Sequence, residues 1–170
     1  MPATYTSLLT HVVFSTKRRR PLITPDLEAR LLPYFGGITR ELRGTLLVSN
    51  SVADHVHLLV ALPPTIAISE AVGTLKGSSS KWVHETFPEA RSFAWQRGFG
   101  AFSVSRSNVP GVARYIERQK EHHRKVTFQE EFVRFCVDMR SMSMNGICGV
   151  DSFLSPAPRA HVPNPSCCPV

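Results

Sequence analysis

Residues 45–62 read TLLVSNSVADHVHLLVAL, two β-branched runs, Thr45–Val52 and His55–Leu62, parted only by Ala53-Asp54. Strands joined by so short a turn pair antiparallel. Upstream, Thr24 can cap a helix whose first position is Pro25. Its apolar stripe is Leu27, Leu31, Leu32, Phe35 and Leu42, running past Pro33 and Gly36-Gly37 until Gly44 stops it. Before that helix, residues 5–15 (YTSLLTHVVFS) have strand composition and end at the Arg20-Pro21 turn signal. Downstream, Pro63-Pro64 ends the second strand of the pair. Ile68, Val72, Leu75, Ser79, Trp82 and Val83 then recur at helical spacing between Ile66 and about Phe87, with Ser69 or Thr65 as cap. Phe99–Val104 reads as a strand. Asn108 caps a further helix, with Pro110 in its first turn, that runs to about Lys125, and a short helix follows over 128–136. The order β-α-β-β-α-β is the split βαβ pattern. It predicts an α+β, ferredoxin-like antiparallel sheet with helices on one face, the other face free, and a tyrosine-bearing helix at the C-terminal end.

The chain has 170 residues, 42% apolar and 19% charged, enough for one core. No run of apolar residues is long enough to cross a bilayer, and Met1–Tyr5 carries no basic leader. Cysteines at 136, 148, 167 and 168 form no C-x-x-C pair, so neither a zinc ribbon nor a disulfide framework is expected, and a reducing cytoplasm is the expected location. Residues 1–136 are expected to fold. Residues 137–170, rich in proline, serine and methionine without periodicity, read as a loosely ordered tail. The net charge of +7 is concentrated in two places, Lys17-Arg18-Arg19-Arg20 and the segment from Arg106 to Lys125. Concentrated positive charge suits a polyanion, because neutralising phosphates releases condensed counterions; a single basic run is also ordinary solvated surface.

Chemistry is concentrated at His55-Val56-His57. Residues i and i+2 of a strand share a face, so both imidazoles point one way while Val56, Leu58 and Val60 point to the core. Paired neutral imidazoles can bind one divalent metal; they can also be the polar opening of a surface strand. On the third helix, Tyr115 and Gln119 stand at i and i+4, one turn apart on one face. A phenol can act as nucleophile toward a phosphodiester and a glutamine oxygen can ligate a hard cation. An amphipathic helix also carries such residues without any chemistry. His122 lies on roughly the same face, as an additional ligand or a proton-transfer group, whereas His123 is read as pointing elsewhere. Asp54 can orient an imidazole or simply start the strand. His11, His84 and His161 have no partner pattern and receive no role.

Taken together, H-x-H on a strand followed by Y-x-x-x-Q on a basic helix resembles the Y1 group of HUH nucleases, the IS200/IS605-type single-strand transposases and the tyrosine transposases associated with repetitive extragenic palindromes. HVVFSTKRRRP, DHVHLLV, LKGSSSKW, WQRGFGAFSVS and YIERQKEHH stand in that family's usual order across residues 5–135. The resemblance implies that His55, His57 and Gln119 hold one Mg²⁺ or Mn²⁺. Tyr115 would then cleave single-stranded DNA through a 5′-phosphotyrosine, and the protein would work as a homodimer on hairpin or palindromic element ends. It also implies that Lys17, Arg18, Arg19, Arg20, Lys76, Lys81, Arg106, Arg114, Arg118, Arg124 and Lys125 follow the DNA backbone. The tail departs from the family pattern, in which a further helix and an aromatic-rich segment follow. The competing reading is a non-catalytic or domesticated nucleic-acid-binding protein of the same fold. An RNA-recognition sheet stacks bases on aromatic side chains, whereas the surface strand here begins with imidazoles.

Overall fold

In the computed structural model, which describes residues 5–124, 130, 131 and 133, a four-stranded antiparallel sheet is laid out in the order β2-β3-β1-β4. β1 is Leu9–Ser15, β2 Thr45–Val52, β3 His55–Ala61 and β4 Gly100–Ser103. The β2-β3 hairpin is the one that residues 45–62 specify. Helix α1 (Pro25–Glu41) carries the chain from β1 to β2, and α2 (Ile68–Thr86) carries it from β3 to β4. Each crossover therefore skips one strand, which puts β3 between β1 and β2 and β1 between β3 and β4. This is the expected ferredoxin-like arrangement.

Strand parity sorts the residues. Val12, Phe14, Val56, Leu58 and Val60 face α1 and α2, where Leu27, Leu31, Phe35, Val72, Leu75 and Val83 complete a dry core. Phe14 meets Phe35 and Trp95 edge-on, with ring centroids 5.9 and 4.8 Å away. Thr24 caps α1 as expected, its hydroxyl accepting from the Leu27 amide at 3.3 Å. The helix passes through Pro33 and ends at Glu41. Arg43 there takes the left-handed φ of 58°. Gly44 is needed for a different reason, since a Cβ on it would stand 2.8 Å from the Ala61 carbonyl oxygen of the adjacent β3. At α2 the expected cap is absent: Ala67 occupies the N-cap position, and neither Thr65 nor Ser69 bonds the first turn.

The face expected to be free is covered. Helix α3 (Val109–Glu117) packs on β2 and β3, and the short α4 (Gln119–His122) packs on β2. His11, Val13, Ser15, His55, His57 and Leu59 are consequently buried. The expected single helix from Asn108 to about Lys125 is broken at Arg118, and Asn108 makes no side-chain cap bond. The expected helix over 128–136 and the tail 137–170 lie outside the described residues, as does Lys125, apart from Glu130, Glu131 and Val133, which are helical.

Two further segments are tied together beside the sheet. Trp95 donates its indole N–H to Ser79 at 2.9 Å, and the Lys76 ammonium donates to the carbonyls of Gln96 and Gly98 at 2.6 and 2.8 Å. The LKGSSSKW and WQRGFG stretches therefore clamp one another.

Candidate active site

The tight Ala53-Asp54 turn places His55 at the very start of β3, opposite Ser15 of β1 and Val52 of β2. His57 follows two residues on, opposite Val13 and Asn50. Asn50 was not singled out in the sequence. Its side-chain amide donates to the carbonyls of Ile116 and Glu117 at 2.8 and 2.9 Å, satisfying the last turn of α3 and seating the tyrosine helix on the sheet. Tyr115, half-buried, thus lies over the histidine face, its ring centroid 6.0 Å from that of His57, 6.2 Å from His11 and 5.5 Å from His122.

The imidazoles are dry, with His55 1% and His57 0% exposed. Asp54 accepts from His55 Nδ1 at 2.7 Å, the orienting bond that the sequence allowed for. His55 Nε2 is 3.0 Å from His123 Nε2, and His123 Nε2 is 3.1 Å from Glu131 Oε2. Gln119, also fully buried, donates its amide to Glu131 Oε1 at 3.1 Å. His57 Nε2 faces Glu131 Oε2 at 3.6 Å. On the other side of that ring, His57 Nδ1 meets His11 Nε2 at 3.0 Å.

His123 therefore does not point elsewhere; it joins the site. The break at Arg118 turns the last helical turn down onto β2, and His123 stands four residues after Gln119, the same spacing that links Gln119 to Tyr115. That spacing was the available signal. His122 is peripheral by comparison, with Nε2 3.8 Å from Glu131 Oε1. Glu131 follows the tyrosine helix at no motif spacing, and nothing in the sequence pointed to it.

Burial sets the protonation states. It lowers His11 to about 4 and His57 well below the ordinary imidazole value, and for His57 the neighbouring imidazoles add to the effect. It also lowers His55, against the opposing hydrogen bond and charge of Asp54. Glu131 is pushed up to about 8, first by burial and then by the charge of Asp54. Neutral imidazoles are what a metal requires. One ligand atom each from His55, His57, His123 and Glu131 lie within 4.8 Å of one another. Among the described residues, two buried atoms of the cluster, His57 Nε2 and Gln119 Oε1, have no hydrogen-bond partner, and a divalent cation is a group that would satisfy both. Three imidazoles with one carboxylate form a donor set suited to such an ion.

The basic residues divide by environment. Lys17, Arg18 and Arg20 are exposed and Arg19 is half-buried, on a turn where Arg18 and Arg19 take left-handed φ of 58° and 50°. Arg106, Arg114, Arg118 and Arg124 are exposed. Lys76 is committed to its two carbonyls, and Lys81 stands 3.9 Å from Glu85 on its own helix. A cleft of about 530 Å³ lined by Leu8, Arg43, Leu47 and Arg106 lies at the opposite end of β1 and β3 from the imidazoles; buried donors, rather than cavity size, locate the chemistry.

The sequence pattern of the family described as "Transposase IS200 like" matches residues 4–119. The molecule is thus a transposase, a DNA-processing enzyme by class. The transposase of insertion sequence IS200 from Salmonella typhimurium is 31% identical over 121 residues, spanning 65% of this chain and 76% of that one. The chain belongs to the IS200-like transposase family. Its fold is shared with a Deinococcus radiodurans chain described as a candidate transposase, at TM-score 0.57 and 23% identity over 70% of this chain and 95% of that one. It is also shared with a REP-associated tyrosine transposase bound to a REP hairpin, at TM-score 0.54 and 16% identity over 74% of each chain. Among the described residues no helix is long and apolar enough to cross a membrane.

Proposed function

We propose that this transposase cleaves and rejoins single-stranded DNA with Tyr115 as nucleophile. The observation that carries the reading is the seating of Tyr115 over a dry pair of neutral imidazoles, 6.0 Å ring to ring from His57. His55, His57 and Gln119 would hold a divalent cation, Mg²⁺ or Mn²⁺, with His123 and Glu131 completing the donor set. When bound, that ion supplies Lewis-acid polarisation of a non-bridging phosphate oxygen. Asp54 keeps the Nδ1 proton of His55 in place, so that Nε2, which faces His123, carries the lone pair. Asn50 fixes the end of α3 and with it the approach of Tyr115.

In the forward step the Tyr115 oxygen forms a bond to phosphorus as the bond from phosphorus to the 3′-oxygen breaks. The phenol gives up its proton and the leaving 3′-oxygen takes one up. The product is a 5′-phosphotyrosine and a free 3′-hydroxyl, so the energy of the phosphodiester is retained. A second 3′-hydroxyl attacking the phosphotyrosine reverses the step and joins a new strand.

The exposed basic residues, Lys17, Arg18, Arg20, Arg106, Arg114, Arg118 and Arg124, would follow the strand. Single-stranded hairpin ends are the substrate this reading favours, in keeping with the hairpin bound by the structurally similar REP-associated transposase. A homodimer acting in the cytoplasm completes the proposal, since one tyrosine serves each of the two strand ends to be exchanged.

The test is cleavage of single-stranded oligonucleotides spanning the gene's own flanks, with Mg²⁺, Mn²⁺ or chelator. Wild type should give metal-dependent cleavage and Tyr115→Phe none. Tight binding without cleavage under every condition would favour the binding-protein reading instead.

A further inference from the structure

His11 received no role from the sequence, yet its ring is within hydrogen-bond distance of a site histidine, His57. On the shared face of β1 and β3 it stands opposite Leu59, which makes it the diagonal neighbour of His57. Both rings are buried, tilted by only 23°, with centroids 5.2 Å apart and Nε2 of His11 at 3.0 Å from Nδ1 of His57.

A hydrogen bond between two imidazole nitrogens uses one proton, so one ring donates and the other accepts. If His11 donated, the proton of neutral His57 would sit on Nε2, the atom that faces Glu131, and that nitrogen would have no lone pair for a metal. If His11 accepts, His57 carries its proton on Nδ1 and presents a bare Nε2 to the cluster. His55 meets the same requirement differently, because the Asp54 carboxylate accepts its Nδ1 proton at 2.7 Å. Asp54 is partly exposed at the turn and can bear a charge there, whereas a carboxylate at position 11 would be dry. An imidazole accepts the proton without bringing a charge into the sheet.

We propose that His11 is a positioning residue: its Nε2 accepts the Nδ1 proton of His57 and so fixes the tautomer and ring orientation in which His57 Nε2 serves as a metal ligand. The proposal rests on the metal-site reading given under Proposed function. It adds a residue from β1 to a site whose proposed ligands come from β3 and the segments after β4.

The experiment compares His11→Gln, whose amide oxygen can take the place of the accepting nitrogen, with His11→Leu, which has no acceptor. Mn²⁺ alone is titrated calorimetrically into each full-length protein. Loss of a bond that orients a ligating histidine costs about 10- to 100-fold in metal affinity. His11→Leu should show that loss, and His11→Gln should stay within about threefold of wild type on the same scale. Wild-type affinity in His11→Leu, or equal weakening in both variants, would overturn the proposal. A second arm guards against misfolding of the variants: two-bond ¹H–¹⁵N spectra of metal-free wild type should show His57 protonated at Nδ1. Protonation at Nε2 would overturn the proposal. Because this arm uses neither metal nor DNA, a wild type that shows Nδ1–H but binds no Mn²⁺ would uphold the tautomer assignment while sinking the metal-site reading.

Discussion

Glu131 is 4% exposed and held at about 8, so near neutral pH the folded, metal-free protein keeps a proton that the unfolded chain, at the ordinary value of 4.5, has released. The folded state binds more protons between those values, and stability contributed by this group therefore falls as pH rises through the window. From 4.5 to neutrality is about 2.5 pH units at about 1.4 kcal/mol each, a penalty of about 3.5 kcal/mol. Glu131→Gln removes the titration and keeps an amide that can hydrogen-bond to Gln119 and His123. Urea unfolding in the presence of chelator, at about pH 5 and about pH 7.5, should show the variant gaining on wild type by about 3 kcal/mol across the interval. The difference between the two proteins isolates Glu131, because the buried histidines titrate in both and with the opposite sign. Saturating Mn²⁺ should reverse the order, since wild type alone can offer a carboxylate and a ligand stabilises in proportion to its affinity for the folded state. A gap that does not change with pH, or a variant that is the less stable at the higher pH without metal, would show that Glu131 is not held protonated in the fold.

Other consequences are more local. Gly44→Ala puts a Cβ 2.8 Å from the Ala61 carbonyl oxygen and 3.0 Å from Leu62, so it should cost about 1–3 kcal/mol, read as a lower thermal midpoint. Lys76→Met removes two charge-assisted bonds to the Gln96 and Gly98 carbonyls. It should destabilise by about 2 kcal/mol yet leave the salt dependence of single-strand binding unchanged, whereas Arg18→Ala should flatten that dependence by about 0.7 in the log–log slope. Three imidazoles in the donor set favour Mn²⁺ over Mg²⁺, and Mn²⁺ should raise the thermal midpoint more at equal concentration; an equal or larger rise with Mg²⁺ would count against the set.

The hairpin, the Thr24 cap and the sorting of Val56, Leu58 and Val60 from His55 and His57 were legible because they depend on neighbours in the chain. A two-residue turn and a period of two leave one arrangement. What covers the histidine face was not legible, because it depends on Asn50 bonding carbonyls 66 and 67 residues away. The same holds for His11, whose partner is 46 residues distant on a paired strand. The break at Arg118 follows from tertiary seating rather than from any glycine or proline. His123 was reachable from its spacing to Gln119, but Glu131 was not, since only the folded chain brings that carboxylate to the imidazoles. The basic residues were visible by type and not by environment, and Lys76 shows the difference: its ammonium donates to the Gln96 and Gly98 carbonyls.

On the function proposed above, Tyr115 forms the bond to DNA. Protein incubated with Mn²⁺ and an element-end single strand should be denatured, digested with protease and nuclease, and its nucleotide-bearing peptides sequenced by mass spectrometry. The expected result is a phosphonucleotide on Tyr115, absent when chelator is present. An adduct on another residue, or cleavage that proceeds with no adduct in wild type and continues in Tyr115→Phe, would exclude Tyr115 as the nucleophile.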